Sequence, residues 1–247
     1  MLVGDAYSGI YLERMASMLE RNLNVPYRLH CITDSPRTMP KGVTEIDGRG
    51  WSDVRRAGMK PTTMKLRLFD PKSLPFKDFL YLDLTLVIQK NLQSLLEFCD
   101  SRPENLIIVR DWNYDGYNSC VMRVRHSPEL ESIYRAFADG KTFDQRNLGD
   151  QDFIHNWIQE QNLESEVGFF EPDHVASYRN LQHLNWTDPK SAEAAIGRAT
   201  IVKFYGRVKM HDVLNPLTNF SKIRMRYLRT GGKDARFWVK ELRSLWR

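Results

Sequence analysis

Cysteine is scarce in this 247-residue chain, and Cys31, Cys99 and Cys120 are odd in number, lie in apolar surroundings and lack metal-ligand spacing. They read as reduced packing residues, which leaves no basis for a disulfide framework or a cysteine-built zinc site. No apolar run reaches the roughly eighteen residues that a membrane span needs. The opening MLVGDAYSG lacks the basic-then-apolar order of a signal peptide, so a cytoplasmic location is the expectation. The six histidines, His30, His126, His155, His174, His183 and His211, never fall into HExxH-type spacing. Ser-His-Asp and P-loop motifs are also missing, so hydrolase and kinase chemistry has no support. Zinc-finger, homeodomain and RNA-recognition signatures are absent and most of the chain is close to neutral, which argues against a nucleic-acid partner. Internal repeats and low-complexity stretches are lacking.

What the sequence does contain is enough to build a core, since 42% of its residues are hydrophobic and its length suits one large domain or two small ones. The formal charge of +5 is unevenly spread: residues 221–247 hold nine Lys or Arg against only Asp234 and Glu241. Strand and helix signals alternate, as in an α/β protein with a mostly parallel sheet flanked by helices. Residues 1–4 read as the end of a strand. A helix is expected over 7–23, with apolar positions at Ile10, Met15, Met18 and Leu19, and a strand over 27–33. Residues 36–60 read as loop with room for one short strand, and 63–69 as helical. One central strand is expected over 79–88, short strands over 106–110 and 119–124, and helices over 128–138 and 150–161. A strand over 199–204 and a tail helix over 235–246 complete the pattern. No linker stands out, so the expected division is one domain over 1–213 and a basic C-terminal helical extension over 214–247.

The stretch FLYLDLTLVIQKNLQSLLEF, residues 79–98, places one carboxylate, Asp83, inside an apolar run. Burying it among Tyr81, Leu82, Leu84, Leu86, Val87 and Ile88 is costly unless a cation, a hydrogen-bond donor or a strand end relieves it. Two readings stand: a strand-end Asp that caps the helix after Asn91, or a ligand group at the carboxyl end of a central strand, where open α/β sheets place their chemistry.

Five blocks occur in order: GDAYSGIYLERMASML, KLRLFDPKSLPFKDFLYLDLTLVIQKNLQSLL, YNSCVMRV, GDQDFIHNWI and VKFYGRVKMHDV. Together they resemble a GT-A-fold nucleotide-sugar glycosyltransferase of the glycogenin-like and bacterial lipopolysaccharide galactosyltransferase group. The likeness spans nearly all of residues 3–213, and its specificity lies in order and spacing rather than in any one block. It implies a Rossmann-like α/β fold and transfer of a sugar, a UDP-hexose being the expected donor, to a saccharide, lipid-linked or protein acceptor. Retention of anomeric configuration is also implied, with departure and attack on one face of the sugar.

The resemblance assigns Asp5 and Tyr7 to the nucleotide base, Tyr7 as a stacking ring, a contact of about 1–3 kcal/mol. Packing at a helix start is the other reading of Tyr7. Lys65 falls where the family places a basic residue that meets the diphosphate; Arg67 would point elsewhere on a helix. Asn118 and Ser119 map to sugar-hydroxyl contacts, and Asp83, Thr85, Lys203, Gly206 and Lys209 to nucleotide-sugar binding. Asp150 and Gln151, in Gly-Asp-Gln, map to the reaction centre. Asp150 also fits a plain helix N-cap.

Two positions depart from the family pattern. Asp83 matches the first residue of its Asp-x-Asp motif, but Thr85 stands at the second carboxylate, and Lys203 stands at the family's metal histidine. The family's divalent cation, Mn²⁺ or Mg²⁺, would be left with Asp83 and His211 as the candidate ligands, and a protonated lysine is no ligand. Three outcomes stay open: an altered metal site, a metal-free site in which Lys203, Arg207 and Lys209 supply positive charge, or a catalytically silent nucleotide- or carbohydrate-binding homologue. A sugar nucleotidyltransferase is a weaker alternative, because GDAYSGIYLER carries no Lys or Arg before Arg14. In the tail, Phe237, Trp238, Leu242, Leu245 and Trp246 gather on one helical face bordered by Arg236, Lys240, Arg243 and Arg247. That pattern suits peripheral contact with an anionic membrane, or packing of the apolar face on the domain.

Overall fold

The computed structural model describes residues 1–205, 210–214 and 238–247. In chain order the elements are α1 (Ile10–Asn22), β1 (Leu29–Thr33), β2 (Val43–Asp47), two 3-10 segments (Ser52–Val54 and Pro61–Phe69), β3 (Asp78–Leu82) and β4 (Leu86–Ile88). Then follow α2 (Gln93–Ser101), β5 (Leu106–Arg110), β6 (Tyr117–Arg125), α3 (Pro128–Ala138), α4 (Asp150–Glu160), β7 (Val167–Phe169) and β8 (Val175–Ser177). The last are α5 (Tyr178–Thr187), α6 (Pro189–Arg198), β9 (Ile201–Lys203), α7 (Met210–Leu214) and α8 (Val239–Leu245). The chain divides into two compact units. The first comprises Met1–Gly9, Arg28–Asp83 and Glu97–Phe170, the second Ile10–Tyr27, Leu84–Leu96 and Glu171–Arg247.

In the first unit, β1 and β2 pair in parallel, and Leu2 adds a single parallel bridge to Thr33 where a strand over 1–4 was expected. The main sheet runs β3-β6-β5-β7, antiparallel for β3–β6 and β5–β6 and parallel for β5–β7. All but the last residue of β6 are buried, the polar Asn118, Ser119 and Arg123 among them. Helix α3 starts where its sequence dictates: the Ser127 hydroxyl accepts from Leu130 N, Pro128 fills the first turn, and Glu129 and Glu131 face the positive end of the dipole. The nine-residue 3-10 segment is long for its kind. It persists because Thr63, Met64, Lys65, Leu66, Leu68 and Phe69 are all buried, while Arg67 is tied to Asp53 at 2.7 Å and to Asp70 at 2.7 Å.

The second unit carries a three-stranded sheet in the order β4-β9-β8, with β4–β9 antiparallel and β8–β9 parallel. Helix α1 buries Tyr11, Leu12, Met15, Met18 and Leu19 as one stripe. It begins at Ile10 rather than at residue 7, because the preceding loop is held in another conformation, described below. Of the tail pattern, Leu242 and Trp246 are buried. The Trp246 ring meets Tyr11 at 5.3 Å and lies 3.8 Å under the Arg14 guanidinium, and Arg21 donates to Leu245 O and Arg247 O. Phe237 and Arg236 fall outside the described residues.

Two expectations change. The run over 79–88 is not one strand: β3 pairs with β6 in the first unit, β4 pairs with β9 in the second, and Asp83, Leu84 and Thr85 form the break. Strand pairing among the described residues is also evenly mixed rather than mostly parallel. Continuous hydrophobicity shows that a strand is buried but not which neighbour it takes.

Candidate active site

Asp83 follows directly on β3, its N–H bonded to Cys120 O at 2.9 Å. Its carboxylate is neither a helix cap nor bare in an apolar wall. Tyr81 Oη donates to Asp83 Oδ1 at 2.9 Å, and Lys65 Nζ reaches the same oxygen at 2.9 Å. Lys65 spends its remaining N–H bonds on Ser119, at 3.1 Å to Oγ and 3.2 Å to the carbonyl oxygen. Its Nζ also lies 3.9 Å from Asp150 Oδ2, and Ser119 Oγ donates to that oxygen. A buried ammonium thus joins two carboxylates and a hydroxyl contributed by the 3-10 segment, the end of β3, strand β6 and helix α4.

Burial works against the charge on Lys65, but the carboxylates of Asp83 and Asp150 outweigh it and hold its pKa above the usual lysine value. Burial, reinforced by Asp83, raises the Tyr81 phenol well above its ordinary value, so it remains a donor.

Asp150 is the first residue of α4, and Gly149 occupies the N-cap, so the capping role of Asp150 does not hold. Its side chain, only 2% exposed, turns to Ser119 and Lys65. The helix N-terminus favours a carboxylate at this position. A Cβ at Gly149 would lie 2.9 Å from Thr62 Oγ1, so the Thr62 side chain or the loop would have to shift, next to the 3-10 segment that brings Lys65 to Asp150. Gln151 is half-buried, and its side chain makes no hydrogen bond among the described residues. Asn118 is buried beside Ser119; its Oδ1 accepts from Cys120 N at 3.2 Å and its Nδ2 lies 3.4 Å from Asp111 Oδ2.

In the same unit, the loop carrying Asp5 and Tyr7 is gripped at Gly4. Both oxygens of Asp34 accept from Gly4 N, at 3.1 and 3.0 Å, and Arg37 Nη2 donates to Gly4 O at 2.7 Å. Gly4 has φ +62°, a left-handed conformation that suits glycine. The grip explains why α1 does not reach back to Tyr7, which is half-buried, and leaves the Asp5 side chain in solvent, 3.9 Å from Arg37. Sequence reasoning missed Asp34 and Arg37; the one signal was the position of Asp34 immediately after strand β1.

Thr85 and Lys203 belong to the second unit. Leu86 and Lys203 are partners in the β4–β9 register, Phe204 N donates to Thr85 O at 2.9 Å, and Lys203 Nζ donates to Thr85 Oγ1 at 2.6 Å. The two departures from the family pattern are therefore bonded to each other. His211 is engaged by Tyr11, whose hydroxyl accepts from His211 N at 3.2 Å and lies 2.5 Å from its Nδ1. Gly206 and Lys209 lie outside the described residues, as does Arg207. The donor set does not fit a divalent cation: Asp83 is paired with an ammonium, Thr85 bonds another, and no group of three His, Cys, Asp or Glu gathers among the described residues.

No protein-family model and no curated protein sequence matches the chain. Solved structures do match. The glycosyltransferase GlyE from Streptococcus pneumoniae TIGR4 aligns with a TM-score of 0.57 at 14% identity, over 99% of this chain and 64% of its own. The galactosyltransferase LgtC, in complex with donor and acceptor sugar analogues, gives 0.52 at 13% identity, over 92% of this chain and 93% of its own. Mouse xyloside xylosyltransferase 1 gives 0.52 at 14% identity over 82% and 95%.

This chain has a GT-A-like glycosyltransferase fold.

At such identities the likeness is one of fold, and chemistry must be argued from the site. No helix among the described residues is long and apolar enough to cross a membrane.

Proposed function

We propose that the protein transfers a sugar from a nucleoside diphosphate donor, UDP-hexose in the first instance, to a hydroxyl acceptor, without a bound divalent cation. The observation that carries this reading is the Lys65–Asp83–Ser119–Asp150 cluster on this fold. In transfer the bond from the anomeric carbon to the diphosphate oxygen breaks, and the acceptor oxygen bonds to that carbon. The acceptor's proton passes to the departing diphosphate when both events occur on one face. Positive charge builds on the sugar as the bond breaks. Preorganised opposite charge in a site closed to water stabilises it without reorganisation. Asp150, fixed by Ser119 and Lys65, serves that role, and Asp83 and Asn118 position the sugar. Lys65 acts through the two carboxylates, since its three N–H bonds are already committed. Tyr7, on the loop held by Asp34 and Arg37, stacks on the base. That two of the similar solved structures are named for galactosyl and xylosyl transfer supports the reaction class.

The test is release of nucleotide from a panel of UDP- and GDP-sugars, with and without Mn²⁺, by the intact protein and by Asp150→Asn. Turnover should appear without added metal and fall by about 100-fold or more in the variant, the cost of losing a preorganised electrostatic group, with UDP affinity by calorimetry retained. Absence of release from every donor, or equal turnover by Asp150→Asn, would remove the reading.

A further inference from the structure

We propose that the tip of the β5–β6 hairpin, centred on the ring of Tyr114, is the platform on which the acceptor binds, and that the acceptor is a saccharide; this rests on the transferase reading above. Large apolar side chains exposed among the described residues are few, and two of them lie beside the buried cluster in sequence: Tyr114, 53% exposed and four residues before Asn118, and Leu148, 45% exposed and two before Asp150.

An exposed tyrosine is ordinarily free to move, and this one is pinned from two sides. On the hairpin side, Asp111 N donates to Gly116 O at 2.9 Å, closing the loop. Asp111 Oδ1 accepts from the N–H groups of Asn113 and Tyr114, and Oδ2 faces Asn118 Nδ2 at 3.4 Å. On the helix side, the Arg146 guanidinium lies 3.7 Å from the Tyr114 ring centroid. Arg146 is itself paired at 3.0 Å with Asp152, two residues beyond Asp150. Tyr117 closes the base of the hairpin against His155 of α4, edge to face at 4.8 Å. The ring is thereby referenced to the strand that carries Asn118 and Ser119 and to the helix that carries Asp150.

A ring ordered before binding loses little entropy when it binds. One face of Tyr114 meets Arg146, and the residue as a whole is about half exposed. A hexopyranose offers a face of polarised C–H bonds to an aromatic ring, while its rim of hydroxyls finds donors and acceptors in the Arg146 guanidinium, the Tyr114 hydroxyl and the unengaged amide of Gln151. A lipid chain would need a continuous apolar surface, whereas charged Arg146 and Asp152 border this one.

The experiment is saturation-transfer NMR of the intact protein with lactose, cellobiose and maltose, paired with UDP release from the active donor as each disaccharide is titrated. At least one disaccharide should bind. Tyr114→Ala should raise its half-saturating concentration about tenfold, the loss expected for one ordered aromatic contact. Tyr114→Trp should stay within about twofold, since a larger ring keeps the stacking face. Tyr27→Ala, which removes an exposed tyrosine elsewhere, should have no effect, and near-UV circular dichroism checks that each variant is folded. Equal saccharide binding by folded Tyr114→Ala and the parent chain overturns the platform, as does failure of all three disaccharides to bind the parent chain. Failure of the transferase reading shows separately, as absence of UDP release whatever the state of Tyr114.

Discussion

Replacing Lys65 by Met removes the ammonium and keeps most of the apolar bulk, leaving two carboxylates without their shared counter-charge. At an effective dielectric of about 20, one charge pair is worth about 6 kcal/mol at 2.9 Å and about 4 kcal/mol at 3.9 Å. These gross attractions are offset by desolvation of the ammonium, so the net loss on breaking the buried group is about 3–5 kcal/mol. The sign of the pH dependence follows from linkage. Lys65 has a raised pKa in the folded protein, so its contribution is complete below the unfolded lysine value and is lost only as pH rises through the higher folded one. It is therefore constant across the neutral range. Urea denaturation at neutral pH should show the loss of about 3–5 kcal/mol. Asp150→Asn placed in the Lys65→Met background should recover much of the deficit by removing an uncompensated charge. A deficit under about 1 kcal/mol would show that Lys65 does not hold this cluster together.

Arg37→Gln should loosen the grip on Gly4 and raise the KM for the nucleotide sugar about tenfold, one lost charge-assisted hydrogen bond, with kcat little changed. Arg37→Lys should restore part of the effect, and an unchanged KM would dissociate the Asp5–Tyr7 loop from donor binding. Exchanging the bonded pair for ligands, Thr85→Asp together with Lys203→His, should create Mn²⁺ binding that calorimetry detects and the parent chain lacks. Equal Mn²⁺ binding by both proteins would refute the argument from the donor set.

The sequence by itself determined the local elements and the residue types of the site. Ser127-Pro128-Glu129 marks the start of α3 to the residue, because capping, a fixed φ and the helix dipole all act within one turn. The order of the five blocks carried the GT-A expectation, and Lys65, Asp83, Ser119 and Asp150 were all named from it. Only the tertiary structure decided how those residues meet. Asp150 was open between a cap and a site residue until Gly149 took the cap and Ser119 took the carboxylate. The run over 79–88 splits between two sheets because hydrophobicity records burial and not the partner strand. Asp34 and Arg37 were illegible because their targets are the backbone groups of Gly4, thirty or more residues away, and backbone groups leave no mark in sequence. Thr85 and Lys203 each read as the loss of a ligand; that they bond to each other across 118 residues is held by strand register alone.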